Sequence, residues 1–528
     1  MKIASKNVLR TGALALTVLL AGGALASCST GDAGTSGENV VFALKEDPGC
    51  MDPQQVTLST ALNVSRQLTD SLLDQDPATG ELKPWLAKTF KSNANLTEFT
   101  FTLRDDVTFS DESKLTGEVV KANLDALFAM GAKASLASQM LAGYTGTDVV
   151  DPTTVTVTFS APNAQFLQGT STTTLGMVAE ATTKATPEAR CQSVIGSGPF
   201  VLDSYTLNDS VEISQRAGYN WGSELRKHTG DALVKTVSFP IIAENGVRTG
   251  GLASGEFDVI QDVPYADEAR FTNADYNLYA AANPGIPNSL IANTTKGLLG
   301  DATVRKAIQM GLDRGEINTL TGSASGQGPT SALTSTTSGY VSQADSMKFD
   351  AAGAKALLEA DGWALGADGI YAKDGKKLSV KVTAFYAQDV LEAVQMQLKK
   401  IGVDLQLNMV TAGDFFGAVA SKDYEFLGAA LTRTDPDVLR VALSKNSGSA
   451  WGIVDNAELE KMLQEQAKTA DAAARQDLVA KIQALVIKEG YVIPTLETVQ
   501  LHASSSKVSG IVFDSASRVN LYDMTVAK

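Results

Sequence analysis

The chain has 528 residues, a formal net charge of −15 at pH 7, 44% hydrophobic and 20% charged residues. That length exceeds one compact core and points to two or three lobes, and the composition is that of a foldable globular chain, not a disordered one. The acidity argues against nucleic acid or an anionic lipid surface as a partner, since both need a basic face; it is also a plain solubility device and does not by itself call for a cationic ligand.

In chain order the first element is a leader. Lys2, Lys6 and Arg10 form a cationic stretch, and the apolar run Ala13 to Ala21 is too short to span a bilayer. After Gly22 and Gly23 comes Leu25-Ala26-Ser27-Cys28, which matches the bacterial lipobox: small residues admit the signal peptidase and the cysteine receives diacylglycerol. The expectation is a signal peptide over 1–27, lipidation of Cys28, a flexible Gly/Ser/Thr/Asp tether over 28–38, and a folded body held at the membrane outside the cytoplasm, at the cell surface or in the periplasm. An ordinary secretory leader with an incidental Cys28 is the alternative. No later segment approaches the roughly twenty apolar residues of a membrane helix. With Cys28 consumed, Cys50 and Cys191 remain in an oxidising compartment. A bridge between them is expected, worth about 4 kcal/mol in the chain-entropy model, against the alternative of two free buried thiols.

The first half reads mainly as strands. Thr97 to Leu103 alternates Phe99, Phe101 and Leu103 with polar residues, and Thr153 to Phe159 does the same with Val155, Val157 and Phe159. Between them Glu118 to Met130 places Val119, Ala122, Leu124, Leu127 and Phe128 on one helical side. From about Ala302 helices alternate with strands. Val304, Ile308 and Leu312 mark one helix; Val390 to Ile401 mark another, ended by Gly402 and followed by the strand-like Val403 to Val410. A helical pair runs from Ala457 to Glu489 with Leu478, Ile482 and Leu485 on its inner face. The run Thr321 to Gly339 reads as an exposed loop, and the tail from Tyr491 to Tyr522 is strand-like again. This alternation predicts an α/β lobe.

Catalytic machinery is scarce. The only histidines are His228 and His502, both read as surface or edge residues. Neither H-E-x-x-H nor paired C-x-x-C occurs, so no metal site is expected. Gly322-Ser323-Ala324-Ser325-Gly326 puts Ala where a serine hydrolase needs its nucleophile. Gly196-Ser197-Gly198 and Gly326-Gln327-Gly328 lack the third glycine of a dinucleotide loop, and no cofactor is expected. A carboxylate pair among 59 acids stays open, because such pairs meet in space, not in sequence. A binding protein, not an enzyme, leads; a secreted hydrolase is the alternative of another class.

Several segments carry a resemblance: Met51-Asp52-Pro53-Gln54; Asp70 to Asp74 and Thr79 to Ala87; Phe101 to Asp111; Ile195-Gly196-Ser197-Gly198-Pro199-Phe200; Val304 to Ile308 with Leu312-Asp313-Arg314; and Asp435-Pro436-Asp437. As an ordered set spanning nearly the whole mature chain, they resemble the extracytoplasmic solute-binding proteins of ABC importers, in the peptide/nickel family 5 typified by dipeptide and oligopeptide binders. The resemblance implies an α/β two-lobed periplasmic-binding-protein clamshell (type II, cluster C-like): lobe one over 39–282 with an inserted subdomain at about 71–190, lobe two over 283–491, and a return to lobe one over 492–528. Crossings are expected near Ala280 to Gly285 and near Gly490 to Thr495, with Pro284, Gly285 and Pro287 suiting a hinge. Trp85 and Trp221 are expected to pack in lobe one, and Gly196 and Gly198 to serve a tight turn.

Departures from the family pattern bear on the ligand. The aspartate that receives a peptide's ammonium group, three residues before Asp435-Pro436, is Thr432 here. The arginine that holds a dipeptide's carboxylate is missing from Thr383-Ala384-Phe385-Tyr386-Ala387. Both anchors of a zwitterionic dipeptide are therefore absent from their expected places, and unpartnered buried charge costs several kcal/mol. The candidate ligand-binding residues are Met51, entering the cleft from lobe one, Phe385, Tyr386, Thr432, Arg433 and Trp451. Arg433 either clamps a carboxylate or phosphate or turns away to pair with Asp435 or Asp437; Trp451 either walls the pocket or packs. The implied partners are a peptide-like or other polar organic solute, an ABC permease and, through it, the ATPase subunits, with the chain itself a monomer. An oligosaccharide or metal-chelate receptor of the same fold is the runner-up, although scarce histidine leaves a nickel chelate to be held through its chelator.

Overall fold

The computed structural model describes residues 38–447 and 451–527; the leader, Cys28, nearly all of the tether and Gly448 to Ala450 lie outside the described residues. Among the described residues no helix is long and apolar enough to cross a membrane.

Alternation in the first half produces sheets with one buried face. Glu98–Leu103 and Thr154–Phe159 pair antiparallel, with Phe101 opposite Val155 and Phe99 opposite Val157, inside the four-stranded order Ala87–Ser92, Glu98–Leu103, Thr154–Phe159, Tyr144–Asp151. The buried face of these strands packs on Phe166, whose ring lies 4.8 Å from Phe159 and 5.0 Å from Phe99. Helix Gly117–Met130, capped by the Thr116 hydroxyl accepting from the Val119 amide, covers the same core. Its buried side is Val119, Val120, Asn123, Leu124 and Leu127; Phe128, expected inside, stands exposed, because the apolar stripe is rotated toward Val120.

The larger sheet of lobe one has seven strands in the order Tyr276–Ala282, Val499–Ser505, Val259–Gln261, Asn39–Ala43, Thr236–Pro240, Ser210–Gln215, Phe200–Thr206. Asn39–Ala43 sits at its centre, parallel to both neighbours, and buries Val40 and Phe42. Cys50 and Cys191 are disulfide-bonded, with a Cα–Cα distance of 4.1 Å. Trp85 and Trp221 are both buried: the Trp85 indole N–H donates to the Trp221 carbonyl, and that of Trp221 to Asp70 Oδ2 at 3.0 Å. Gly196 and Gly198 serve close approach, not turn conformation. A Cβ on Gly196 would lie 1.9 Å from the Leu68 carbonyl oxygen, and one on Gly198 would lie 2.5 Å from the Leu68 carbonyl carbon.

Lobe two is a five-stranded sheet in the order Asp404–Met409, Ser379–Ala384, Phe426–Thr432, Gly285–Ala292, Val492–Leu496. Both faces are covered, so Gly285–Ala292 is buried throughout; Leu290 and Ala292 face one core and Ile286 and Ile291 the other. Helices Ala302–Met310 and Gln388–Lys400 pack on the first face, Ala457–Gln466 and Ala472–Lys488 on the second. The inner side of Ala472–Lys488 is Val479, Ile482, Val486 and Ile487, with Leu478 and Leu485, the expected inner residues, only half-buried.

The chain passes from the seven-stranded to the five-stranded sheet at Asn283-Pro284 and back at Glu497-Thr498. The return was expected from residue 492, but Val492–Leu496 still pairs with Gly285–Ala292, so the boundary falls after Leu496. The Thr321 to Gly339 run is irregular and exposed only in part, at Ala324, Ser325, Gln327, Thr336 and Ser338. Ser331, Ala332, Leu333, Thr334 and Thr337 are buried beneath the crossings, where Thr334 N–H donates to the Gly285 carbonyl and the Ser335 amide to Glu497 Oε1. The short polar side chains of this loop satisfy backbone groups, a use of Ser and Thr that composition alone does not separate from solvent exposure.

His502 is likewise interior, not at an edge: fully buried on Val499–Ser505, between the rings of Phe42 and Phe513. Burial pulls its imidazole down to about 4. The unfolded chain takes up the proton near its ordinary value of 6.5, so the stability His502 permits is fully present above that pH and is lost as pH falls toward 4. Wild-type protein should lose about 3 kcal/mol more than a His502→Leu variant between pH 7 and pH 4, read by urea unfolding at several pH values. Equal acid loss in the variant would assign the effect to other groups.

Candidate functional site

Strand Phe426–Thr432 runs toward the edge of lobe two that faces lobe one, and its last residue pairs with Gly285 at the first crossing. Gly285 has φ +112°, and a Cβ there would lie 2.0 Å from the Leu431 carbonyl oxygen and 2.7 Å from the Arg433 amide nitrogen. Only glycine lets the two strands approach this closely. The Arg433 amide then donates to the Pro284 carbonyl at 3.0 Å, which fixes where the side chains of Thr432, Arg433 and Thr434 leave the sheet.

Those three residues form one wall of a small cavity, about 40 Å³, between the lobes. The opposite wall comes from lobe one: Met140, Gln168, the run Thr172-Thr173-Thr174, and Arg518 from the C-terminal return. The lobes touch around and beyond it. Arg433 Nη2 donates to Gln139 Oε1 at 2.6 Å, Gln168 Nε2 donates to the Thr434 hydroxyl, and the Ala164 amide donates to the Ala467 carbonyl at 3.1 Å.

Arg433 faces this cavity and does not turn back to its own lobe. Asp435 is held by both terminal nitrogens of Arg475, at 2.9 and 2.6 Å, and Asp437 by Arg440 at 2.7 and 2.5 Å, so neither carboxylate is left for it. Burial pushes the Arg433 guanidinium down to about 10, against the pull of Asp437 and Asp435.

Thr432 and Arg433 are thus placed together in the cavity lining, and the other expected ligand residues are not. Met51 is fully buried in the lobe-one core, with its amide donating to the Cys191 carbonyl; the apolar side chain is held by packing and does not enter the cleft. Phe385, Tyr386 and Trp451 gather elsewhere on lobe two. Phe385 lies 4.8 Å from Tyr386 and 4.9 Å from Phe415, and Trp451 lies 5.6 Å from Phe415. The Tyr386 hydroxyl accepts from the Ala430 amide at 2.5 Å, which ties this residue to the sheet, and burial raises its phenol to about 12. These rings make an aromatic cluster separate from the residues that line the cavity.

Sequence reasoning missed Gln139, Gln168, Thr172 to Thr174 and Arg518. The hydroxyl run from Thr170 to Thr174 was a visible signal; Arg518 lies in a tail with no local pattern. Neither histidine reaches the cavity: His502 is buried among aromatic rings, and His228 is held by Asp523 at 2.8 Å. Among the described residues no group of three or more His, Cys, Asp or Glu is placed to hold a metal ion.

The family model of the bacterial extracellular solute-binding proteins, family 5 (middle), matches residues 81–452. The chain belongs to this family. Family 5 proteins act outside the cytoplasm, bind small ligands and work with ABC permeases and ATPases. Among curated relatives, the glutathione-binding protein GsiB of Shigella dysenteriae serotype 1 is 23% identical over 96% of each chain. Among solved structures, NikA from Brucella suis in complex with Fe(III)-EDTA superposes with a TM-score of 0.79 at 21% identity, covering 92% of this chain and 99% of its own. A dipeptide-binding protein from Pseudoalteromonas sp. SM9913 in complex with Met-Leu gives 0.76 at 20% identity, with the same coverage. The fold is therefore the two-lobed periplasmic-binding-protein clamshell, and these relatives are binding proteins.

In this family 5 chain the first crossing and the cavity wall share one hydrogen-bonded turn, so a change at Gly285 should reach the site. Gly285→Ala is expected to destabilise lobe two by about 1–3 kcal/mol and to displace Thr432 and Arg433. Equilibrium unfolding and the exchange rate of the Arg433 amide hydrogen check this; unchanged protection at Arg433 would show that the strand end tolerates the methyl group.

Proposed function

We propose that the chain is the lipid-anchored solute-binding component of an ABC importer. It captures a peptide-like or other polar organic solute between Thr432-Arg433-Thr434 and lobe one, and presents the closed form to a membrane permease. The observation that carries the reading of the ligand is Thr432: an uncharged side chain lines the interlobe cavity where a peptide's ammonium group would need a carboxylate. Arg433 beside it supplies charge of the opposite sign. The lipobox around Cys28 and the tether after it support the anchored form, which keeps a closing receptor near its permease.

Purified protein screened by thermal shift against peptides, sugars and metal chelates tests the ligand class. A true solute at about 100 Kd adds about 2.7 kcal/mol of apparent stability. Acetylated or otherwise ammonium-free solutes should give larger shifts than free dipeptides; the largest shift from free dipeptides would overturn the reading of Thr432. For the anchor, Cys28→Ser should move the protein from the membrane fraction to the soluble extracytoplasmic fraction, and an unchanged membrane fraction would remove the lipid from the account.

A further inference from the structure

If the interlobe cavity holds the solute, as the preceding reading requires, its lining also limits the charge that fits. Two guanidinium groups reach it from opposite walls, Arg433 from lobe two and Arg518 from lobe one. The buried arginines elsewhere have carboxylates or backbone carbonyls as partners, although Arg66, Arg190, Arg216 and Arg314 each keep one buried nitrogen without a hydrogen bond. Arg66 faces Asp514 at 3.4 Å and Arg190 faces Asp52 at 2.7 Å, while Arg248 donates to four backbone carbonyls and Arg314 to those of Pro494, Leu312 and Met347 among others.

Arg433 and Arg518 differ. Among the described residues each makes one side-chain hydrogen bond, and each to a neutral group: Arg433 to Gln139 Oε1 at 2.6 Å, and Arg518 to Ser59 Oγ at 2.7 Å. A guanidinium carries five N–H donors, so most of this capacity has no protein acceptor. Asp514 does not supply it. Its Oδ1 accepts the amides of Ala516 and Arg518 at 2.9 and 2.8 Å, and its Oδ2 faces Arg66. The same cavity is lined by Thr173, only 3% exposed, whose hydroxyl is buried without a partner. None of the described lining residues is acidic. Burial lowers the pKa of both guanidiniums, as it does those of Arg248 and Arg314.

We propose that the solute is a small organic dianion without an ammonium group, one oxyanion held by Arg433, a second by Arg518, with the Thr173 hydroxyl donating to it. Two separate arginines on facing walls suit two anionic groups at separate points of one molecule, each taken by a planar fork of donors. An ammonium group would meet two cations and no carboxylate.

The test is calorimetric titration of the whole mature protein at low salt. One arm uses C3–C6 dicarboxylates, N-acetylglutamate and glycerol 3-phosphate; another uses the matching diamides and diamines; a third uses neutral peptides and sugars. At least one dianion should bind, its diamide at least tenfold more weakly, and Arg433→Gln and Arg518→Gln should each weaken the dianion by tenfold or more. Arg433→Lys and Arg518→Lys, which keep the charge, serve where a Gln variant fails to fold and should retain part of the affinity. Carboxylate or phosphate among the binders identifies the oxyanion. A neutral or cationic solute that binds with the same affinity in the Gln or Lys variants overturns the dianion while leaving a solute receptor in place. No binding in any arm overturns both.

Discussion

The Asn283 amide donates to the Thr498 carbonyl at 2.9 Å, and this bond holds side by side the two segments that join the seven-stranded sheet to the five-stranded one. Around it the polar loop of residues 331–337 is packed against both crossings: Thr337 Oγ1 accepts from the Gly285 amide at 2.7 Å, and Ser335 binds the carboxylate of Glu497 through its amide and its hydroxyl. Burial raises the Glu497 carboxyl, which only Ser335 offsets. Two adjacent connecting segments with a buried brace are the arrangement a hinge between lobes needs. The Pro284 carbonyl at the first crossing also accepts the Arg433 amide, so the joint and the cavity wall are one piece of backbone.

Lobe one also carries a network of buried charge. Acids and arginines are both buried there, and they serve different ends from the surface charge: surface acids keep the body soluble, while long buried arginines reach several backbone carbonyls at once. Arg66 and Arg216 lie over the rings of Trp85 and Trp221, 5.4 and 4.9 Å from the centroids, around the carboxyl of Asp70. Burial drives Asp70 up to about 7 although both arginines and Trp221 pull it down. This network sits beside the Gly196–Pro199 segment pressed against Leu68, and it helps to set the position of the lobe-one wall from which Thr172 to Thr174 face the cavity.

The alternating strands, the helix over 388–400 and the clamshell itself were legible in the sequence because each rests on periodicity or on motifs that repeat a backbone requirement. Periodicity fixes a side only to within about one residue, so the inner face of Ala472–Lys488 was drawn through Leu478 and Leu485 in place of Val479 and Val486. Polarity was misleading wherever short side chains serve buried backbone, as in residues 331–337, or where an aromatic cage takes up a neutral imidazole, as at His502. The site was half legible. Thr432 and Arg433 follow a motif in one strand, whereas Arg518 and Thr173 meet them only through the fold, across sequence distances no local pattern spans. Phe385 and Trp451 were drawn in because aromatic residues near a cleft suit a pocket wall, yet rings pack on rings more readily than they stay bare.

A closure that brings Arg433 and Arg518 toward each other would also take both out of water. Each step is unfavourable: desolvation costs several kcal/mol per ion, and like charges repel more strongly as the surrounding dielectric falls. A Gln139 amide oxygen and a Ser59 hydroxyl offset only part of this, since neither carries a net charge. A dianion between the two walls reverses the sign of both terms, because it replaces the lost hydration with charge-assisted hydrogen bonds and turns repulsion into two attractions. Its affinity for the closed form then exceeds that for the open form by the same free energy by which closing is favoured, which is what linkage requires of a ligand that shifts a two-state equilibrium. A neutral solute of the same shape would fill the space but leave the two cations facing each other. On the proposed dianion, the charge of the solute, more than its bulk, decides whether the clamshell stays shut.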